Sequence, residues 1–503
     1  MRQLAGLPEF IISLGGRRLA AADSARVITI RVHSALAQPT QCVLVWAADD
    51  TLGVNPDTGD ALRIEIGGYR EPLFVGEVTV VEYSYRADTG RQLRVRGYDA
   101  LHRLRKRQST RLLDATDLRG LAEALVAGTG LAVEGPAEPV GPIYQVARSD
   151  LGLLVEVTTR HGHYPVVHDR TLKLVPLAGD GDPVTLSYGQ TLHAAEIEIS
   201  AEPAFRSVET SWWDAASTQT GVARVADSQA APAVSADPGP TRLGGGGALL
   251  RQDDLQTGPG AEPRTLAAAE LDIRRMGEIT AVLVTDGDPA LQAGRRVRVA
   301  GVRAELEGTY TITSATHDIS ATGYETTVST RPPAPPPARS PDQVTLGVVL
   351  DANDPEDRGR VIVQLPAYAG LPSGWAPVLL PAAGDDKGIV AIPDVDDHVL
   401  VLLPGRDPAQ AIVLGGLYGS HTPPPPAPHQ FDRGTTAVAR TRDGQQLILD
   451  GSNSILSLTD GHGSSIELTP ELLRITAATD LLIEAPGRAL RVRARTVDFE
   501  EAP

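Results

Sequence analysis

The sequence predicts a mainly β protein of several domains, with two β-barrel-like units, an α/β insertion between them and a C-terminal β repeat. Three observations predict this class. Alternating apolar residues recur in short segments bounded by Gly, Pro and Asp, proline-rich segments divide the C-terminal third, and the last 70 or so residues carry regularly spaced apolar doublets. A length of 503 residues suggests three or four domains.

The N-terminal part reads as strands. "ALRIEIGG", "PLFVGEVTVVEYSY" and "RQLRVRGYDA" alternate apolar and polar residues, and similar strands return from about residue 194 and up to "YETTVST". This pattern predicts one barrel unit over 1–110 and a second over 201–330. The segment 230–247, rich in Ala, Pro and Gly, reads as a surface loop.

The insertion over 111–200 contains the two clearest helix signals. In 114–130, an Asp cap precedes apolar residues at helical spacing, and Gly128 ends the pattern. A second helix is predicted within "ARSDLGLLVEVTTRHG" (147–162).

Two proline-rich segments at 331–343 and 421–430 predict extended, semi-rigid linkers. They isolate a module at 344–420 from a C-terminal region at 431–503.

The C-terminal region repeats apolar-x-apolar doublets about every eight residues. Each doublet predicts a short strand with two side chains on one face. One chain would have a single thin apolar stripe with nothing to bury it, so the pattern predicts an intertwined triple-stranded β-helix, or prism, in a homotrimer. The alternative is a meander that packs on the preceding module. The predicted core doublets are Leu447/Leu449, Leu456/Leu458, Ile466/Leu468, Leu473/Ile475, Leu481/Ile483 and Leu490/Val492, followed by Val497/Phe499.

Bulk properties exclude several classes of function. A net charge of −17 argues against nucleic acid as a partner, because phosphate contacts need a basic face. The single Cys42 excludes a disulfide framework. The sequence has no apolar run long enough for a transmembrane helix and only a poor signal-peptide pattern, so we expect synthesis and assembly in the cytoplasm.

Three clusters of metal-ligand residue types are interpreted as structural. The "DVDDH" segment (394–398) is expected to be a solvated hairpin turn rather than a metal site. "DANDPEDRGRVI" (351–362) fails the EF-hand spacing, since Pro355 and Ile362 occupy ligand positions. "HGHY" (161–164) lies at the end of a predicted helix. With no nucleophile elbow, zinc-protease motif or phosphate-binding loop, we expect no catalytic residue, no metal and no cofactor.

The module at 344–420 resembles the OB-fold of phage baseplate spikes and of the VgrG family. The resemblance is carried by Asp354-Pro355 before "GRV" (359–361), the Trp375 strand, Gly388 and the run from "DPAQ" to "VLGGLYG". It implies structural roles for Trp375 and for Gly359 and Gly388 at tight turns. It also implies that 394–398 is the turn of a strand–turn–strand unit.

Residues 1–330 resemble, more loosely, the companion hub of the phage late control protein D type. "LFVGEVTVVE", "VRGYDALHRLRK", "QVARSDLGLLVEVTTRHGHY" and "GTYTITSATHDIS" carry this resemblance. The order hub, OB-fold and β-helix spike implies the non-enzymatic tip of a contractile injection system, in a phage tail-like particle of a kind that can be released from the cell.

The resemblance implies a set of partners. They are a hexameric inner tube protein, baseplate proteins, a PAAR-type tip protein seated near Val497 and Phe499, effector cargo and the target membrane. Two other functions compete with this one. A secreted ligand-binding β protein would need a signal sequence and aromatic platforms, and a spike with hydrolase activity would need a larger helical insertion carrying paired carboxylates.

Overall fold

The structure, a computed structural model, describes residues 9–49, 51–115, 117–239, 249–256, 262–334, 340–420, 423–424 and 435–500. The chain divides into two compact units, Met1–Leu417 and Tyr418–Pro503. The chain is mainly β, as predicted, and no helix in the described ranges is long and apolar enough to cross a membrane.

The first barrel unit is built on a strand meander. Its elements are β1 (Phe10–Leu14), β2 (Arg17–Arg18), α1 (Ala21–Ser24), β3 (Val27–Ala35), β4 (Gln41–Ala47), β5 (Ala61–Ile66), β6 (Phe74–Arg86) and β7 (Gly90–Tyr98), followed by a 3-10 turn at Ala100–Arg105. Side chains alternate between a buried core and the opposite face. The core includes Ile30, Leu44, Trp46 and Ile64, each fully buried.

Both helices predicted in the insertion are present. The insertion contains β8 (Gln108–Leu113), α2 (Leu118–Val126), β9 (Ala132–Glu134), β10 (Ile143–Ser149), α3 (Asp150–Arg160), β11 (His163–His168) and β12 (Thr171–Pro176). Asp117 caps α2 by accepting a hydrogen bond from Gly120 N, and Ser149 caps α3 through Gly152 N. The apolar faces of the two helices share one core with β12.

The second barrel unit follows. Its elements are β13 (Asp180–Ser187), β14 (Leu192–Ile199), β15 (Ser207–Asp214), β16 (Gln219–Val225), β17 (Leu249–Gln256), α4 (Glu262–Gly277), β18 (Ile279–Asp286), β19 (Arg295–Ala300), a 3-10 turn at Ala304–Leu306, β20 (Gly308–Thr311), β21 (Ser314–Ser320) and β22 (Gly323–Ser329). α4 packs on the sheet β16-β15-β17 and was not predicted. The loop predicted at 230–247 lies partly outside the described residues.

One eleven-stranded sheet joins the two barrel units, in the order β14-β18-β22-β21-β3-β4-β7-β6-β5-β1-β2. The junction is the antiparallel pair β21–β3, in which Ser314 lies opposite Ala35 and Ser320 opposite Thr29. Two separate cores lie on this sheet, one in each unit. β13 and β14, which the predicted boundaries place in the insertion, pair with β19 and β18. The boundaries at residues 110, 200 and 330 stay a prediction.

The module after the first proline-rich segment is a five-stranded sheet in the order β25-β24-β23-β26-β27. Its strands are β23 (Gln343–Asp351), β24 (Ile362–Leu365), β25 (Leu371–Pro372), β26 (His398–Leu403) and β27 (Ile412–Gly416), and its 3-10 turns are Pro366–Tyr368, Pro404–Arg406 and Pro408–Gln410. Val146 of β10 packs against its core, and Arg148 Nη2 donates a hydrogen bond to Ser340 Oγ (2.9 Å).

The C-terminal unit is an antiparallel meander of five short strands. They are β28 (Thr436–Arg440), β29 (Gln446–Asp450), β30 (Ile455–Thr459), β31 (Ser465–Leu468) and β32 (Leu473–Thr476). Between Leu473 and residue 500, β32 is the only strand that the structure describes.

Candidate functional site

The predicted doublets from Leu447 to Ile475 align across the C-terminal sheet in two rows. One row contains Leu447, Leu458, Ile466 and Ile475, and the other contains Leu449, Leu456, Leu468 and Leu473. Ala439 and Ala437 of β28 continue the two rows. Because every pair in a row is directly opposite, the eight large side chains form one continuous apolar face. We call it the doublet face.

The doublet face is exposed in the single chain. Its eight large side chains are between 36 and 59% exposed, so this face has no cover from within the described part of the C-terminal unit. A contiguous exposed apolar surface of this kind marks an interaction site in a soluble protein.

The opposite face of the same sheet is mostly polar. It carries Ser457, Glu467 and Arg474 beside the buried Ile448. This difference follows from the period of two along each strand. The sheet therefore has one face suited to solvent and one suited to a partner.

Polar turns fix the register of the rows. Asp460 Oδ1 accepts hydrogen bonds from His462 N (2.7 Å) and Ser464 N (3.0 Å) in the turn between β30 and β31. Asp450 does the same for Ser452 N (3.0 Å) and Asn453 N (3.2 Å) between β29 and β30. Side chains that satisfy turn amides set the strand spacing, and that spacing brings each doublet opposite the next.

The last three predicted doublets lie in 477–500, where the structure describes no strand. A strand needs a paired neighbour for its backbone amides, and this segment has none within the described part of the chain. It stays a prediction that this segment forms strands in an assembly. The residues concerned include Leu481, Leu490, Val497 and Phe499.

Ile483 and Val492 are predicted spike-core residues that lie in this segment without a described strand. Ile483 is 62% exposed and Val492 is 70% exposed, so neither side chain is buried in the single chain. The physical reason is that each doublet supplies only one thin apolar stripe, and no described strand of the same chain packs over 477–500. The burial of Ile483 and Val492 between chains of a trimer stays a prediction.

In the five-stranded module, the "DVDDH" segment forms the predicted turn. Asp394 N donates to Asp397 Oδ2 (2.8 Å), Asp397 N donates to Asp394 O (3.0 Å), and Asp396 has a φ of 73°. The carboxylates are exposed and close their own turn before β26. Among the described residues, no group of three or more His, Cys, Asp or Glu side chains is arranged to hold a metal ion.

The loop at 351–362 is organised by an ion pair. Arg360 donates to both carboxylate oxygens of Asp354, from Nε at 2.9 Å and from Nη2 at 2.7 Å. Asp354 also accepts hydrogen bonds from the backbone N–H groups of Glu356, Arg358 and Arg360. The Arg360 guanidinium holds the pKa of Asp354 well below its ordinary value, and the loop amides act in the same direction. This carboxylate is therefore used to close the loop into β24.

The three residues predicted to matter in this module occupy constrained positions. Gly359 (φ 69°) and Gly388 (φ 139°) have backbone conformations that other residues rarely adopt. The half-buried Trp375 ring lies below the Arg360 guanidinium, 6.0 Å from its centre. The sequence analysis did not predict the Asp354–Arg360 ion pair. The one sequence feature that could have indicated it is the Asp-Pro dipeptide before "GRV".

The "HGHY" histidines face local partners. His161 Nδ1 lies 2.9 Å from Val157 O, and His163 Nδ1 lies 2.9 Å from His161 O. These contacts end α3 and begin β11, which is a structural role.

Comparison with known families gives two matches. The Alg8 N-terminal domain model matches residues 56–321, which is more than half of the chain. The chain belongs to the Alg8 N-terminal domain family. A second model, the type VI secretion system/phage-baseplate injector OB domain, matches residues 345–418. The OB-fold predicted at 344–420 is thus confirmed, and so is the resemblance to hub–spike proteins.

Solved structures share the fold of this member of the Alg8 N-terminal domain family. The Escherichia coli c3393 protein is described as a component of the type VI secretion system similar to the T4 bacteriophage tail proteins gp27 and gp5. It is 11% identical with a TM-score of 0.50, and the match covers 78% of this chain and 96% of that one. At this identity, the likeness shows the fold alone.

Two further structures have slightly lower TM-scores. A 43 kDa tail protein of prophage MuSo2 from Shewanella oneidensis is 16% identical with a TM-score of 0.48, covering 65% of this chain and 99% of that one. A tail protein from Neisseria meningitidis is 17% identical with a TM-score of 0.47, covering 64% and 95%. No curated protein matched the chain.

Proposed function

We propose that the chain is a structural hub and membrane-puncturing spike at the tip of the inner tube of a contractile injection system, and that it acts as a homotrimer. Residues 1–330 form the hub, 344–420 the OB domain and 431–503 the spike, with proline-rich linkers at 331–343 and 421–430. The OB domain match and the shared fold support this assignment.

The observation that carries the proposal is the exposed doublet face. A β meander that served only as a surface appendage would have polar residues on both faces. Here, two aligned rows of Leu and Ile are open on one side, and the chain continues with the same pattern to Phe499. Three copies packed around an axis would bury all of these rows at once.

The energy of such packing is sufficient to hold a trimer. Completing the burial of a half-exposed Leu or Ile contributes about 1 kcal/mol, so eight of them contribute about 8 kcal/mol per chain. Strand pairing between chains would satisfy the backbone of 477–500 in addition, and it would bury Ile483 and Val492, which the single chain leaves exposed. A spike with paired strands throughout is stiff, which is the property needed to transmit force to a narrow tip.

The hub would adapt one symmetry to another. Each chain has two cores on one sheet, so three chains present six similar units to a hexameric tube ring. The OB domain and the spike then keep threefold symmetry. Sheath contraction would drive this assembly forward as one body.

The partners follow from that position. They are the inner tube protein, baseplate proteins, a PAAR-type tip protein on the blunt end at Val497 and Phe499, effector cargo and the target membrane. The role is mechanical and not enzymatic. We propose assembly in the cytoplasm as part of a phage tail-like particle.

The test is the native mass of the full-length chain by light scattering, measured beside a shortened chain that ends at His429. We expect three times the chain mass for the full-length protein and a weaker trimer, or a monomer, for the shortened one. A full-length monomer at micromolar concentration would overturn the proposal, because the doublet face would then be covered within one chain.

A further inference from the structure

The loop between β18 and β19, residues 287–294, is held in the hub by two buried histidines. His317 of β21 places its Nε2 3.1 Å from Leu291 O, and His168 at the end of β11 places its Nε2 2.9 Å from Ala293 O. Both carbonyls belong to fully buried residues of the loop. Because β11 belongs to the insertion, these contacts join the insertion to the second barrel unit.

The two carbonyl contacts fix the tautomer of both imidazoles. A carbonyl oxygen only accepts, so Nε2 carries the hydrogen in each ring and Nδ1 keeps its lone pair. His317 Nδ1 accepts hydrogen bonds from Tyr324 Oη and Thr326 Oγ1, both at 3.0 Å. His168 Nδ1 is buried and has no hydrogen-bond partner among the described residues. Both surroundings are thus suited to a neutral ring.

Both histidines line one small cavity of about 30 Å³ in the hub. Its wall is built from the two barrel units, the insertion and the β18–β19 loop. The other polar side chains on this wall include Ser34, Thr40, Asp99 and Gln292. A cavity of this size holds about one water molecule, so a charge on either ring would not be properly hydrated there.

Charged groups of both signs surround His168. They are Glu71, Asp169, Lys173 and Arg295. Arg295 and Lys173 disfavour a proton on the ring, whereas Glu71 favours one and lies 3.7 Å from Arg295. Asp169 Oδ1 lies 3.6 Å from Arg63 Nη1. Burial outweighs these charges and lowers the pKa of His168.

The charges near His317 do not offset its burial either. Burial lowers the pKa of His317 to about 4, although the adjacent Asp318 favours a proton. Asp318 is paired with Arg31 at 2.6 Å. Burial also raises the pKa of Asp99 to about 7. The Asp99 carboxyl is therefore mostly uncharged at any pH at which a histidine could take up a proton.

We infer that the β18–β19 loop is an acid-sensitive junction of the hub, which opens when His168 and His317 take up protons. In the closed loop both rings are buried and neutral, whereas in the open loop water solvates the charged rings. Acid therefore favours opening, and opening breaks the contacts between this loop and the insertion. The inference concerns a single chain and does not rest on the proposed function.

The proton balance gives the direction and the size of the effect. An unfolded histidine has a pKa of about 6.5, so the stability that depends on neutral rings is full above that pH. For His317 it is lost as the pH falls toward its folded pKa of about 4. On opening, the two histidines take up two protons and Asp99 releases at most one. The net uptake is about one proton, so the opening constant should rise about tenfold per pH unit between about pH 6 and 4.5.

Hydrogen exchange of the full-length chain, measured by mass spectrometry, tests this inference. Labelling times are scaled to the intrinsic exchange rate at each pH. Peptides from the β18–β19 loop should lose protection about tenfold per pH unit between about pH 6 and 4.5, while peptides from β4 stay protected. In H168Q/H317Q, each glutamine keeps an amide donor but cannot titrate, so the loss should disappear. H193Q is the matched control, because His193 contacts Asp286 at 2.7 Å and lies outside the cavity wall. It should behave as the wild type.

Each outcome decides the inference. Constant protection of the loop in the wild type would overturn it, and so would an unchanged pH dependence in H168Q/H317Q. Equal loss of protection in β4 would also overturn it, because the whole hub would then be unfolding. If the double variant does not fold, H168Q alone should show a weaker pH dependence of the loop, and a dependence equal to that of the wild type would refute the role of His168.

Discussion

Replacing Leu458 by alanine tests the doublet face at a position where the single chain and the trimer respond differently. In the single chain this side chain is 48% exposed, so the substitution would remove about 1 kcal/mol of burial at most. In a trimer, the same leucine lies in a closed core, and each truncation costs about 3 kcal/mol, since a cavity adds to the lost transfer energy.

The threefold repetition amplifies this difference. Three copies of L458A cost about 9 kcal/mol per trimer, of which up to about 3 kcal/mol is lost in the three single chains as well, so association weakens by about 6 kcal/mol or more. With about 1.4 kcal/mol per tenfold change, the trimer dissociation constant rises at least about ten-thousand-fold. S457A is the matched control, because Ser457 lies next to it on the opposite face of the same strand.

The assay is light scattering over a dilution series from high micromolar to nanomolar chain concentration. Wild type and S457A should remain trimeric to the lowest concentrations, and L458A should dissociate within the series. If L458A and wild type dissociate at the same concentration, Leu458 is not in the trimer core and the reasoning from the aligned rows is wrong.

Three further predictions concern the hub and the OB domain. Because the Arg360 guanidinium lowers the pKa of Asp354, this carboxylate stabilises the folded OB domain fully above its unfolded pKa of about 3.9 and progressively less in acid. D354N should therefore melt below wild type at pH 7, by a margin that shrinks as the pH falls to about 2.5; an equal margin at both pH values would contradict the ion-pair account. Burial raises the pKa of Asp99 to about 7, so the protonated Asp99 carboxyl stabilises the hub fully below about pH 4, and this contribution is lost as the pH rises through 7. In D99N, the melting temperature should therefore change less between about pH 5 and 8 than it does in the wild type. A D99N profile parallel to that of the wild type would argue against a titrating buried carboxyl. Gly347→Ala places a Cβ against a methyl carbon of Val363, closer than two carbon atoms can approach. The substitution should therefore lower the free energy of unfolding of the OB domain, measured in urea, by about 1–3 kcal/mol. A loss under about 0.5 kcal/mol would mean that β23 and β24 adjust freely.

Local patterns in the sequence were sufficient for several elements. Helices α2 and α3 were predictable because each combines a capping side chain with apolar residues at helical spacing. The doublets from Leu447 to Ile475 were predictable for the same reason, since strand period and turn residues are both local. Helix α4 was missed because two of its buried residues, Ala267 and Ala269, are alanines that give little apolar contrast beside Leu271 and Met276.

Features that depend on distant residues were not predictable. The pairing of β3 with β21 joins residues far apart in the chain, and no local signal indicates it. The same holds for the strand order of the eleven-stranded sheet, because a strand's neighbours are a property of the whole sheet. The Asp354–Arg360 pair needed the loop geometry, although both residues lie within one short segment.

Burial in the spike shows the same limit. The doublet pattern predicts which side chains share a face, but it does not say what covers them. Ile483 and Val492 follow the pattern as well as Leu458 does, and all three side chains are exposed in the single chain. Burial depends on neighbouring strands, and for these two residues the described part of the chain provides none.

The open doublet face also has a consequence for biosynthesis. Residues 435–476 follow the hub along the chain, so the ribosome delivers them after the hub has had time to fold. Until the two other copies of the proposed trimer bind, the rows of Leu and Ile are exposed to other proteins in the cell. The burial of these rows thus depends on the concentration of the chain and on the time that assembly takes, and not on the sequence alone. Neighbouring ribosomes on one messenger RNA would supply the three copies fastest.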